Sequence, residues 1–291
     1  MMTRRSSQAW RQPAIFFASL FLLGSPAHAW WAASHMICAQ IAHDRLSPAA
    51  RAEADRLIAV LAASEPRVDH FVPAAAWLDQ LKRQGWSGFE TWHFINLEKA
   101  GDTAEPALPP GDQILTAIEH SLETLHRKDS GDFLRALALR LLIHLVADAH
   151  QPLHCINRKE PDSPRGDLGG NTFAVRWPAE PAANLHILWD DSLGLYPQLA
   201  PGEDWRERIP AAARELEQLL PPEKLPDWRI ADPKAWVLES HRLALEVAYV
   251  GIEKGATPSP EYLEKGRAIV RQRLAIGAYR LAAALESALG P

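Results

Sequence analysis

The chain carries two His-x-x-x-Asp pairs, His144–Asp148 and His186–Asp190, with a further histidine, His154, shortly after the first pair. On a helix, residues four apart lie one turn apart on one face, so each pair aims an imidazole and a carboxylate in the same direction. Nitrogen and oxygen donors without thiolates suit zinc held at an open, reactive site; a closed structural site normally uses several thiolates. One such pair is also how a solvated helix face looks. Two pairs and a flanking histidine together point to a metal centre.

The elements that must position these residues are helical. Met36 to Leu46 is apolar at helical spacing, and Ser47-Pro48 caps and opens a second helix running towards Ala63. Val72 to Arg83 reads as one short helix. Gln113 to Lys128 and Phe133 to Ala149 read as two long amphipathic helices, the second ending before Pro152. Ala183 to Ser192, Trp205 to Leu219, Pro233 to Val250 and Glu261 to Leu289 also read as helices. Gly101 to Gly111 and Asn157 to Gly170 are loops rich in Pro, Gly and polar residues, and only Asn171 to Trp177 has the alternation of a strand. The expectation is one all-α domain with a small β-hairpin.

Residues 1–29 read as a secretory signal peptide: Arg4, Arg5 and Arg11, an apolar run from Ala14 to Gly24, then Ala27-His28-Ala29 as a small-x-small cleavage site. Residues 30–291 then form the functional domain, with Trp30 as the new amino terminus, secreted or periplasmic and without a membrane anchor. The whole chain has a formal charge of −5, and removing three arginines leaves −8. That balance by itself argues against an electrostatic nucleic-acid binder. Bound divalent ions reverse the sign locally, so an anionic substrate is not excluded. Cys38 and Cys155 each lie near a candidate ligand, His35 and His154; a disulfide and two buried thiols are both open readings.

Three further pieces extend the pattern: Trp30-Trp-Ala-Ala-Ser-His35, Ala74-Ala-Ala-Trp77-Leu-Asp79, and Trp92-His93-Phe94-Ile95-Asn96. With Asp148-Ala-His-Gln-Pro-Leu-His154, Gly169-Gly-Asn171 and Asn184-Leu-His186-x-x-x-Asp190, the chain resembles the S1/P1 nuclease family, secreted helical zinc enzymes. The matched motifs run from 30 to 190 in the family's order, whereas the helices after 190 carry none.

The resemblance implies three zinc ions. Asp79, His93, His144 and Asp148 would hold the first, and His154, His186 and Asp190 the second. The third would take the amine and carbonyl of Trp30, with His35 and the second oxygen of Asp148. A free α-amine titrates near pH ~8, so it can serve only after cleavage. The implied activity is endonucleolytic hydrolysis of single-stranded DNA and RNA to 5′-phosphorylated products, with 3′-nucleotidase activity, through a hydroxide shared by metals. Asp79, Lys82 and Asp148 carry the implied catalytic roles. Lys82 falls beside the scissile phosphate; on its own it also reads as a solvated helix lysine. Phe94, Asn96 and Asn171 are the implied substrate contacts, although Phe94 also fits a core aromatic and Asn171 a turn residue. A monomer is expected.

The alternative enzyme is a zinc-dependent phospholipase C, whose last ligand pair is typically His-x-x-x-Glu where this chain has His186-x-x-x-Asp190. A secreted, non-catalytic zinc protein is the third reading. His150 is not a ligand position in the resemblance, and His43, His70, His120, His126 and His241 read as ordinary surface or core residues.

Overall fold

The computed structural model describes residues 30–62, 68–99, 105–160, 163–178, 180, 183–199 and 203–291. The expected signal peptide lies outside these described residues. Among the described residues ten α-helices follow in order: α1 (Ala32–Arg45), α2 (Pro48–Ala62), α3 (Phe71–Ala74), α4 (Trp77–Arg83), α5 (Ile114–His126), α6 (Asp132–Ala149), α7 (Leu185–Asp190), α8 (Trp205–Leu219), α9 (Pro233–Leu243) and α10 (Pro260–Leu289). Among the described residues there is no sheet. The expected hairpin is reduced to isolated antiparallel bridges, Ala174 with Asn184 and Trp177 with Glu180. No helix among the described residues is long and apolar enough to cross a membrane.

α6 is the centre of the fold. Nearly every residue from Arg135 to Ala149 is buried, so this helix is covered on all faces rather than amphipathic. Its polar residues at the carboxyl end, His144 and Asp148, are therefore carried into the interior. The helix stops at His150, and Pro152 opens a short 3-10 turn, Pro152–Cys155, that brings His154 back beside it.

The segment read as one helix from Val72 to Arg83 is broken into α3 and α4. The break has a use, because the carbonyl of Ala75 in the interruption accepts a hydrogen bond from His144 Nδ1 at 2.7 Å. The expected helix from Pro233 also divides: an α-helix to Leu243, opened by the Asp232 cap, gives way to a π turn over Ala244–Ala248.

α10 packs across both halves of the core. Gly277 permits its approach to α6, since a Cβ there would lie 3.1 Å from His150 Cγ. Cys38 and Cys155 are both free and buried, and burial pushes each thiol up to about 12. The two-thiol reading is the one the fold adopts.

Candidate metal centre

α1, α4, α6, α7 and two 3-10 turns deliver the candidate ligands. His35, Asp79, His93, His144, Asp148, His154, His186 and Asp190 are all buried. Their donor atoms form three groups, each within 4.8 Å: His35, Asp79 and His144; His93, His144 and Asp148; and His154, His186 and Asp190.

The first two groups interlock. Asp148 Oδ2 lies 3.0 Å from both His93 Nδ1 and His144 Nε2. Its other oxygen, Oδ1, lies 3.2 Å from His35 Nε2. One carboxylate thus faces two sets of imidazoles with different oxygens. His35 stacks on His144 with ring centroids 4.0 Å apart. Asp79 Oδ1 stands 3.8 Å from His93 Nδ1 and 3.9 Å from His144 Nε2. In the third group, Asp190 reaches His154 Nε2 and His186 Nε2, each at 3.4 Å.

Three imidazoles are oriented from behind. His144 Nδ1–H donates to Ala75 O, His154 Nδ1–H to His93 O at 2.7 Å and His186 Nδ1–H to Gly169 O at 2.8 Å. Each bond places a proton on Nδ1 and turns Nε2 towards the centre, the atom whose lone pair a metal would use. Gly169 is at φ +63°, and a Cβ there would lie 2.2 Å from the carbonyl oxygen of Leu153, so this close approach requires glycine.

The electrostatics show how tightly the groups are coupled. Burial alone would lower His144, but Asp148 and Asp79 outweigh it and push it up to about 9. Burial opposes ionisation of Asp148, yet His144, His154 and His35 hold it well below the usual carboxylate range. Burial and the neighbouring His144 lower His35, and burial lowers His186.

Several buried atoms of this set have no hydrogen-bond partner: both nitrogens of His35, Asp148 Oδ1, His154 Nε2 and Asp190 Oδ2. Some approach an opposite group at ion-pair distance, but the alignment is not that of a hydrogen bond. Buried lone pairs without donors are costly, and they converge where divalent cations would satisfy them. The donor set of imidazoles and carboxylates fits zinc.

Trp30 lies beside this cluster. Its indole is fully buried in the core and donates to Ala147 O, the residue before Asp148, at 2.9 Å. The next residue is tied to the third group, Trp31 N donating to Asp190 O at 2.9 Å.

A cleft of about 340 Å³ opens on the candidate ligands Asp79, His93, His154 and His186. Lys82, Phe94, Asn96 and Asn171 all line it, so every substrate-side residue singled out in the sequence faces one space. Lys82 Nζ is 3.4 Å from Glu90 Oε1. Asn171 Nδ2 donates to Leu168 O at 2.8 Å, so it both forms the turn and borders the cleft.

Two contributors escaped the sequence reading. Gln151 is fully buried and donates from Nε2 to Asp190 Oδ1 at 2.7 Å. Its place between Asp148 and His154 was the available signal. Leu168 lines the cleft half-exposed at φ +53°, a conformation that nothing in its residue type announces. His150, by contrast, is absent from the three groups and bonds Val146 O and Arg280.

A family model described as S1/P1 Nuclease matches residues 30–290. Endonuclease 2 of Arabidopsis thaliana is 28% identical over 283 residues, covering 90% of this chain and 91% of that protein. Endonuclease 4 of the same plant is 31% identical over 183 residues, 60% of this chain and 56% of its own. Nuclease S1 of Aspergillus oryzae is 22% identical over 294 residues, covering 92% and 95%.

Proposed function

Because the chain belongs to the S1/P1 nuclease family, we propose that it is a zinc-dependent endonuclease acting on single-stranded DNA and RNA. In this reading the products carry 5′-phosphates and the same site removes 3′-phosphates from nucleotides. Cleavage after Ala29 would deliver the enzyme outside the cytoplasm as a monomer. The observation that carries the reading is the buried set of imidazole and carboxylate atoms without hydrogen-bond partners, beside a cleft that Lys82 and Phe94 line.

Asp79, His93, His144 and Asp148 would hold one ion, His154, His186 and Asp190 a second, and Trp30, His35 and Asp148 a third. Bound there, the ions would lower the pKa of water and neutralise charge on a phosphate.

The chain's own residues do the rest. Lys82 presents a positive charge to the phosphate that the ligands face, favouring the transition state in which negative charge accumulates. Glu90, its neighbour, holds the ammonium at the cleft wall. The Phe94 ring provides a stacking surface for a base, which tolerates any sequence and is worth about 1–3 kcal/mol per base. Asn96 and Asn171 offer amide donors and acceptors along the same cleft. Asp79 and Asp148 fix the imidazoles around them by their charge.

The test uses protein beginning at Trp30, offered single-stranded DNA, RNA and a 3′-nucleotide, with zinc counted in the same sample. Chelator-sensitive turnover of all three with about three zincs per chain is expected, by the ligand count above. Turnover that survives complete zinc removal, or phosphatidylcholine hydrolysis matching RNA hydrolysis, sinks the reading.

A further inference from the structure

The helices after residue 190, which carry no candidate ligand, form with α5 the walls of a further cavity of about 340 Å³. It lies between α5, α10 and the turn over Pro226–Arg229, and shares no lining residue with the metal cleft. Leu122, Trp228, Ile230, Trp236 and Ala284 make its wall largely apolar, and Arg280 contributes a guanidinium. The volume is within the range of small-molecule sites, roughly 300–1,000 Å³.

Two observations distinguish this cavity from a packing defect. The first is the state of its donors. Arg280 is 1% exposed, yet its Nε has no hydrogen-bond partner, and Nε1 of Trp228 is likewise buried without one. Unpaired buried donors are expensive, and native proteins keep them rare unless something else satisfies them.

The second is charge. Arg273 and Arg280 both bond the single carboxylate of Glu239, Arg273 through Nη1 at 2.8 Å and Arg280 through Nη1 at 2.7 Å and Nη2 at 2.8 Å. Their other neighbour, His150, donates from Nδ1 to Val146 O and accepts at Nε2 from Arg280 at 2.9 Å, so it is neutral in this arrangement. Two guanidiniums against one carboxylate leave this buried cluster with an excess positive charge, and Arg229 adds another at the cavity wall. An apolar wall, unsatisfied N–H donors and surplus positive charge define a complementary ligand.

We propose that this cavity binds a small planar aromatic anion, its ring against Trp228, Ile230 and Leu122 and its anionic oxygen towards Arg280. A 5′-mononucleotide and an aromatic carboxylate share that chemistry. The site is separate from the metal centre, and binding there requires no hydrolysis, so its failure leaves the nuclease reading untouched.

Calorimetric titration of the zinc-loaded protein with 5′-AMP and, separately, with indole-3-acetate tests the proposal. Ala284→Phe fills the cavity from its half-buried wall, and Trp228→Phe keeps a ring while removing the unpaired N–H. The expected result is a saturable component for at least one probe that Ala284→Phe weakens tenfold or more and Trp228→Phe weakens several-fold. Turnover of single-stranded DNA should be unchanged in both variants. Whichever probe shows this component identifies the source. Isotherms for both probes that are the same in wild type and both variants overturn the proposal.

Discussion

His154 Nδ1 donates to the backbone carbonyl of His93 at 2.7 Å, and the carbonyl of His154 accepts from Ile95 N at 2.8 Å. Two candidate ligands from different groups are therefore joined through the main chain. The three groups are one unit, mechanically as well as electrostatically. Asp148 is the side chain common to most of it, and this has a measurable consequence.

Asp148→Asn should lose metal from two sites together, because Oδ1 and Oδ2 face different imidazoles. Among the candidate ligands, Asp190 faces His154 and His186. Asp190→Asn should therefore leave the other sites occupied. Elemental analysis of both purified variants separates the outcomes, and equal metal loss would remove the bridging role from Asp148.

Gln151 holds Asp190 through a single hydrogen bond from Nε2 to Oδ1. Partners of this kind typically contribute about 10–100-fold to metal affinity or activity. Gln151→Ala should lower zinc affinity at the His154, His186 and Asp190 group by such a factor while the remaining sites hold their metal. Stepwise chelator competition measures it. Unchanged affinity at that group would show that Asp190 is held by other means.

The sequence made this much visible because ligand chemistry is local. His144–Asp148 and His186–Asp190 sit at one-turn spacing, and both fall on helices, α6 and α7, as expected. The helix expected over Trp205 to Leu219 forms with those bounds, and Asp204 caps it by accepting from Arg206 N. The break between α3 and α4 was not legible, because it serves His144, a residue far along the chain. Gln151 and Arg280 act through partners whose proximity only the tertiary fold creates. The expected hairpin stops short: Val175 N donates to Ala183 O and Leu185 N to Phe173 O around the Ala174–Asn184 bridge, but the bridges do not extend into a ladder.

Gly169 offers a test of the wall behind the third group. It sits at φ +63°, its carbonyl accepts from His186, and any Cβ would collide with Leu153 O, next to His154. Gly169→Ala should cost about 1–3 kcal/mol of stability and weaken metal binding by displacing His186. Gly85 is the control: its φ is +88°, but nothing lies within 4 Å of an added Cβ. Gly85→Ala therefore adds strain without touching a ligand. Thermal unfolding and zinc content of the two variants are compared; equal zinc content would detach Gly169 from the metal centre.

Proton linkage provides the last test. In chelator-stripped protein, His144 holds its proton up to about 9, against 6.5 for an unperturbed histidine, because Asp148 and Asp79 outweigh the effect of burial. The raised folded-state value means that this group stabilises the stripped protein fully below 6.5 and that the contribution is lost as pH rises through about 9. Zinc needs the Nε2 lone pair, so binding must expel that proton. His35, lowered by burial and by His144, has no such proton to give up. Zinc affinity should therefore rise with pH, by about tenfold per unit for each proton released, and level off above the His144 value. Calorimetric titrations at neutral pH, in buffers of different ionisation heat, count the protons directly. Identical heats in every buffer would mean that His144 is already neutral and that the neighbouring carboxylates do not control it.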